Sequence, residues 1–173
     1  MASYYYLISS LPDLRTDGEM PMSYGDFLSY CEPNVSASVY QLLESLTLSS
    51  DKGPLLKEWA AFYGTLKREL NAQRSAALGR SYPPITEKDI MNTRVVNAAL
   101  AAKNPLEAEK VLLDYEFEML DELVGLHMFD DHVLVGYAIK LKLLERQSCF
   151  EQEKGKAEFK SLFDQVQQRV YSL

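Results

Sequence analysis

Histidine is scarce in this 173-residue chain, and both copies fall within His127-x-x-Asp130-Asp131-His132. Two imidazoles and two carboxylates at that spacing are ligand types for zinc or for a harder cation. Simpler roles account for the same residues. Asp130 is placed to cap a following helix, Asp131 suits the positive end of that helix's dipole, and both histidines sit at ordinary helix ends. Short motifs of this kind often match without a ligand. The sequence therefore predicts no bound metal and no cofactor.

A second constellation lies just upstream. Between Glu107 and Asp131 there are nine acids and a single base, Lys110. On a helical wheel Glu107, Asp114, Glu118, Asp121 and Glu122 share one face, expected to meet either solvent or a basic partner. Glu109 and Glu116, seven positions apart, fall instead within an apolar arc of Leu112, Leu113, Leu120, Leu123 and Val124. A carboxylate buried without a partner costs several kcal/mol, so each should be paired. Arg74, Arg94 and Lys140 are the cations expected to reach them. A catalytic carboxylate is the competing reading, and a structural ion pair that fixes helix register is preferred over it.

Other chemistries lack their motifs. No Gly-x-Ser-x-Gly elbow occurs, and neither Cys31 nor Cys149 has a histidine close in sequence. Lys154-Gly155-Lys156 has neither the spacing nor the preceding strand of a phosphate-binding loop. The expectation is a chain that is not an enzyme.

The elements that must hold these residues read as helices. Ser23 with Asp26 starts one that runs to Cys31, and a second spans about Val35 to Leu48. A third extends from Pro54 at its first position to Gly79 beyond its last turn. It carries Leu55, Leu56, Trp59, Phe62, Tyr63, Leu66 and Leu70 on one face, with Lys57, Glu58, Lys67, Arg68 and Glu69 outside that face or at its edges. Ser81-Tyr82-Pro83-Pro84 then forbids helix, making 79–85 the candidate subdivision of a single helical domain spanning 1–173. Thr86 with Asp89 opens a helix ending near Ala102. Asn104-Pro105-Leu106-Glu107 supplies cap, first-turn proline and acid for another, which runs to about Leu126. Asp130 caps the next, which ends near Cys149. A last helix from about Glu151 is expected to bury Phe159, Leu162, Phe163, Val166 and Val170. The fold class is all-α: about seven helices in an irregular bundle. Residues Tyr4 to Leu11 could form a strand or one helical turn, and helix or irregular structure is preferred because no second strand exists to pair with.

Composition sets outer bounds. A net charge of −7 repels phosphate backbones and anionic lipid, so nucleic acid is not an expected partner. The start lacks the basic region of a signal peptide, and no window approaches the ~20 apolar residues of a membrane-spanning helix. Two cysteines far apart suit a reducing compartment. A cytoplasmic protein without direct membrane insertion is expected, peripheral to the membrane only through a complex.

Four stretches carry a resemblance: Tyr4-Tyr5-Tyr6-Leu7-Ile8-Ser9-Ser10-Leu11-Pro12, Leu66-Lys67-Arg68-Glu69-Leu70-Asn71-Ala72-Gln73-Arg74, Asn104-Pro105-Leu106-Glu107-Ala108-Glu109, and Gly136-Tyr137-Ala138-Ile139-Lys140-Leu141-Lys142-Leu143-Leu144-Glu145-Arg146. With them the chain resembles a family of small uncharacterised proteins encoded beside V/A-type ATPase genes in some bacteria. That family is distantly similar to the central-stalk wedge of the V-type ATPase, the non-catalytic helical component that seats the rotor shaft on the membrane ring. The resemblance implies a fold like that of the wedge and an accessory or central-stalk role in ion transport, hydrogen ion transport included. Its partners would be other ATPase subunits, the rotor shaft or the membrane ring. This chain is much shorter than the wedge, and the acidic helix maps to no known role there. The alternatives are a helical adaptor for an unrelated complex and a metal-dependent enzyme using His127 and His132.

Overall fold

Local capping chemistry defines most of the observed elements. The computed structural model describes residues 4–84, 89–149, 160–164 and 167. Among these there is no strand, and the chain is all-α. Its named helices are α1 (Tyr5–Ser10), α2 (Tyr24–Cys31), α3 (Ala37–Glu44), α4 (Leu56–Ala77), α5 (Ile90–Leu100), α6 (Pro105–Val124) and α7 (Asp131–Ser148). Residues 160–164 are also helical.

At α2 the Ser23 hydroxyl accepts from the Asp26 N–H at 3.1 Å while the Asp26 carboxylate accepts from the Ser23 N–H at 3.2 Å, a complete capping box. Asn104 accepts from the Glu107 N–H at 2.9 Å to start α6, and Asp89 caps α5 through Met91 and Asn92. The Thr86 start lies outside the described residues. The helix α4 ends in a Schellman pattern: Gly79, at φ 64°, donates to the Ala76 carbonyl, and Arg80 donates to that of Ser75.

Two boundaries differ from the sequence reading. Pro54 lies before α4 rather than in it, because Leu55 takes a left-handed φ of 66° and starts the helix only at Leu56. That turn buries both leucines. The helix α3 is shorter than 35–48 because Ser36 caps it and the Ser45 hydroxyl closes its end on the Gln41 carbonyl. Beyond it, the Leu48 carbonyl accepts from the Trp59 indole at 3.0 Å, satisfying a polar atom on a side chain that is fully buried.

Helices α4, α5, α6 and α7 pack as successive neighbours, with α2 and α3 laid on α7. The main core gathers Phe27, Leu43, Trp59, Leu113, Leu120, Leu134 and Ile139, among others. Each such side chain contributes about 1.5–3 kcal/mol by leaving water. A smaller cluster of Leu66, Val96, Ala99, Leu112 and Tyr115 joins α4, α5 and α6, and Phe62 packs against both clusters. Gly136 lets α6 and α7 approach closely: a Cβ there would come within 2.6 Å of a Val124 methyl. The carboxylate of Glu145 on α7 accepts from the Tyr24 N–H at 3.0 Å, tying the start of α2 to α7.

The C-terminal expectation is corrected where it can be read. Leu162 and Phe163 are more than half exposed rather than buried. Phe159, Val166 and Val170 lie outside the described residues.

Candidate functional site

The helices α6 and α7 form an antiparallel pair, and each end of it gathers ionisable side chains. At the end holding the start of α6 and the finish of α7, Glu109 and Glu116 both turn inward, with side chains 13% and 3% exposed. Their cation is Arg146, from the last turn of α7. Its Nε donates to Glu109 at 2.6 Å, its two terminal nitrogens donate to the two oxygens of Glu116 at 3.1 and 2.6 Å, and one also donates to the Tyr63 hydroxyl at 3.2 Å. One guanidinium therefore joins α4, α6 and α7 through a bidentate fork and two further bonds.

The cations expected from the sequence do not serve here. Arg74 and Arg94 are exposed, and Lys140 pairs instead with Asp121 at 2.5 Å. The missed residue left a signal. Arg146 stands seven positions after Ile139, which is fully buried, so helical periodicity sets it on the inward face of α7. Lys140 falls about a third of a turn away from that face.

One guanidinium cannot neutralise two carboxylates in a site largely shut off from water. Burial pushes the Glu116 carboxyl up; the bonds and charge of Arg146 oppose this, the charge of Glu109 adds to it, and the net shift is upward. For Arg146, burial works against the charged form, but Glu116 and Glu109 outweigh it and raise the guanidinium further. Every nitrogen of the guanidinium donates and both Glu116 oxygens accept, so the cluster acts as an internal clamp.

A third buried carboxylate belongs to Glu69, which the sequence set outside the apolar face of α4 or at its edge. It is buried instead, accepting from Gln73 at 2.7 Å and from the Thr93 hydroxyl of α5 at 3.3 Å. It borders a cleft of about 330 Å³ lined also by Arg80, Tyr82 and Pro83. That cleft reaches neither the Arg146 cluster nor the histidines. Cys31 is buried, and burial pushes its thiol up to about 11, so it stays protonated and unreactive at neutral pH.

The acidic face proves mixed. Glu107 returns its carboxylate to the Lys103 N–H at 3.2 Å, Asp121 is held by Lys140, and Asp114 is half-buried. Glu118 and Glu122 are exposed.

At the opposite end of the pair, the turn from α6 to α7 brings His127, Asp130 and His132 together. Gly125 at φ 54° and Phe129 at φ 56° fold the chain back on itself. One Asp130 oxygen accepts from the N–H groups of His132 (3.1 Å) and Val133 (3.3 Å), capping α7, and the other lies 2.6 Å from His127 Nδ1. The two imidazole rings lie face to face, centroids 3.9 Å apart and 6° from parallel. Leu126 is 99% exposed and Met128 71% exposed beside them. The same turn holds α1, through a Tyr4 N–H bond to the Phe129 carbonyl at 2.8 Å and ring contact between Tyr5 and Phe129 at 4.7 Å. Tyr5 and Tyr6 are themselves exposed and in edge contact.

The family described as "protein of unknown function (DUF2764)" matches residues 86–170. Both ends of the α6–α7 pair lie inside that match, while α1 to α4 precede it. The description carries no activity and no partner. Searches of curated proteins and of solved structures each find no match. No helix among the described residues is long and apolar enough to cross a membrane.

Proposed function

We propose that this chain is a non-catalytic accessory or central-stalk component of a V/A-type ATPase, similar to the wedge that seats the rotor shaft, working through protein–protein contacts. The observation that carries the contact role is the apolar surface at the α6–α7 turn. Leu126 and Met128 stand in solvent, next to a segment that also bears the exposed Tyr5 and Tyr6. Neighbouring large apolar groups left in water favour docking, because covering them removes that area from solvent. The assignment to an ATPase rests on the resemblance of the four quoted stretches, and the rotor shaft and the membrane ring are the candidate partners. The clamp at the other end of the pair suits such a role, since a surface that couples moving parts must be carried on a frame that does not yield.

Reciprocal pull-down of the full chain from its native host is the test. The rotor subunits of the ATPase are expected in both directions, and the Leu126→Ser, Met128→Ser double variant should lose at least about tenfold of the capture, the effect of ~1.4 kcal/mol. Circular dichroism of the variant should match that of the parent. Reproducible recovery of an unrelated complex, with no ATPase component, would establish the adaptor reading instead.

A further inference from the structure

We propose that His127, Asp130 and His132 form a three-ligand site for a divalent ion of the zinc class. This reverses the expectation from the sequence, where cap and dipole roles accounted for the same residues. In the folded chain the cap uses only one oxygen of Asp130, and it fixes the other against His127. One donor atom from each of the three residues lies within 4.8 Å of the others. A tetrahedral ion with bonds of about 2.0–2.2 Å needs its donors roughly 3.3 Å apart, so the donors stand close to a coordinating arrangement before any ion arrives.

Three features single out this cluster from an ordinary histidine–aspartate pair at a helix start. The ring nitrogens of His132 make no hydrogen bond among the described residues, so they are free to ligate. The two rings are stacked in contact, centroids 3.9 Å apart and 6° from parallel. The turn that brings them together includes left-handed backbone at Phe129, where a non-glycine residue is uncommon. Binding requires the rings to tilt from parallel until both nitrogens aim at one point, a change that a half-exposed His127 can make by side-chain rotation.

Two imidazoles and one carboxylate suit zinc, nickel, cobalt or copper, and disfavour magnesium and calcium, which take oxygen donors. The positive end of the α7 dipole opposes any cation here. The carboxylates of Asp130 and Asp131 offset it, the latter lying beside the Tyr4 hydroxyl. Three protein ligands leave a fourth position for water on the solvent side.

The test is calorimetric titration of zinc chloride into the full chain, carrying no histidine tag and stripped of metal beforehand. One equivalent should bind and raise the melting temperature. The Asp130→Asn variant separates ligation from folding. Asparagine caps a helix as well as aspartate does, so the metal-free variant should melt as the parent does while zinc affinity falls at least about tenfold. His127→Ala with His132→Ala should abolish binding, and Cys149→Ser should leave it unchanged. No binding at millimolar zinc would overturn the proposal. So would undiminished binding in the double-histidine variant, which would put the ion elsewhere.

Discussion

The two ends of the α6–α7 pair use the same chemical kinds, carboxylates facing nitrogen cations or imidazoles, and arrive at opposite states. At the Arg146 end the carboxylates are 13% and 3% exposed, the guanidinium is 26% exposed, and each of its three nitrogens donates within the fold. At the His127 end the rings are open to solvent, ring nitrogens remain free, and two apolar side chains project beside them. Titratable clusters alone do not mark a site of action. What distinguishes the two ends is how much bonding capacity and apolar surface is left open to solvent after folding. By that criterion the Arg146 cluster serves the fold, and the turn is the end that keeps ring nitrogens unbonded and apolar side chains uncovered.

Removing the guanidinium is the strongest way to break this contrast. Arg146→Met keeps much of the apolar length of the side chain but leaves Glu109 and Glu116 facing each other without a cation. Urea denaturation should show a loss of about 3–5 kcal/mol, the range for a buried pair stripped of one partner. A loss below about 1 kcal/mol would mean that water reaches the cluster and that the two ends are less different than their burial says.

Removing one carboxylate should cost less, because the other still holds Arg146. Glu116→Gln sets an amide N–H₂ against an Arg146 donor and should cost about 1–2 kcal/mol near pH 4. The pH dependence sharpens the point. The Glu116 carboxyl is raised in the folded chain, chiefly by burial. Below the ordinary glutamate value of ~4.3, the group is protonated in both states and its contribution is complete. As pH rises from there through the raised folded value, the unfolded chain gives up its proton first and stability falls. The glutamine variant has no such titration. Its deficit relative to the parent should therefore shrink between about pH 4 and pH 7, and a deficit that stays constant across that interval would contradict the raised carboxyl.

The sequence made the local features legible and left the tertiary partnerships hidden. Ser23, Asn104 and Asp130 announce helix starts because a cap bonds to an N–H only two or three residues ahead. Gly79 announces an end because the left-handed turn there suits glycine. The inward pointing of Glu109 and Glu116 followed from periodicity along one helix. Which cation meets them depends on how α7 lies across α6, and that register is set by packing such as the approach at Gly136, which no single-helix pattern contains. Glu69 escaped for a related reason: its partner Thr93 comes from a different helix. The histidine turn was visible as a motif, but its meaning was not. Cap and ligand roles compete in sequence, and only the fold shows that one Asp130 oxygen does the capping while the other stays with His127.

The smallest expected effect comes from the pair between the two ends. Lys140 donates to Asp121 at 2.5 Å, a distance as short as any in the Arg146 cluster, and the lysine ammonium also stands 5.1 Å from the Phe117 ring centroid. Distance alone would rank this bridge with the clamp. Its carboxylate, however, is 69% exposed, so water already solvates the charge and ordering the lysine chain offsets much of the attraction. Asp121→Asn should therefore change stability by no more than about 0.5 kcal/mol. That difference should fade further in 1 M salt, where the screening length drops to ~3 Å. The Arg146→Met deficit, measured beside it, should largely survive the same salt, because its carboxylates are only 13% and 3% exposed and a buried charge is screened much less. If instead both deficits fall together as salt is added, the Arg146 end is open to solvent as well, and burial would no longer distinguish the clamp from the turn.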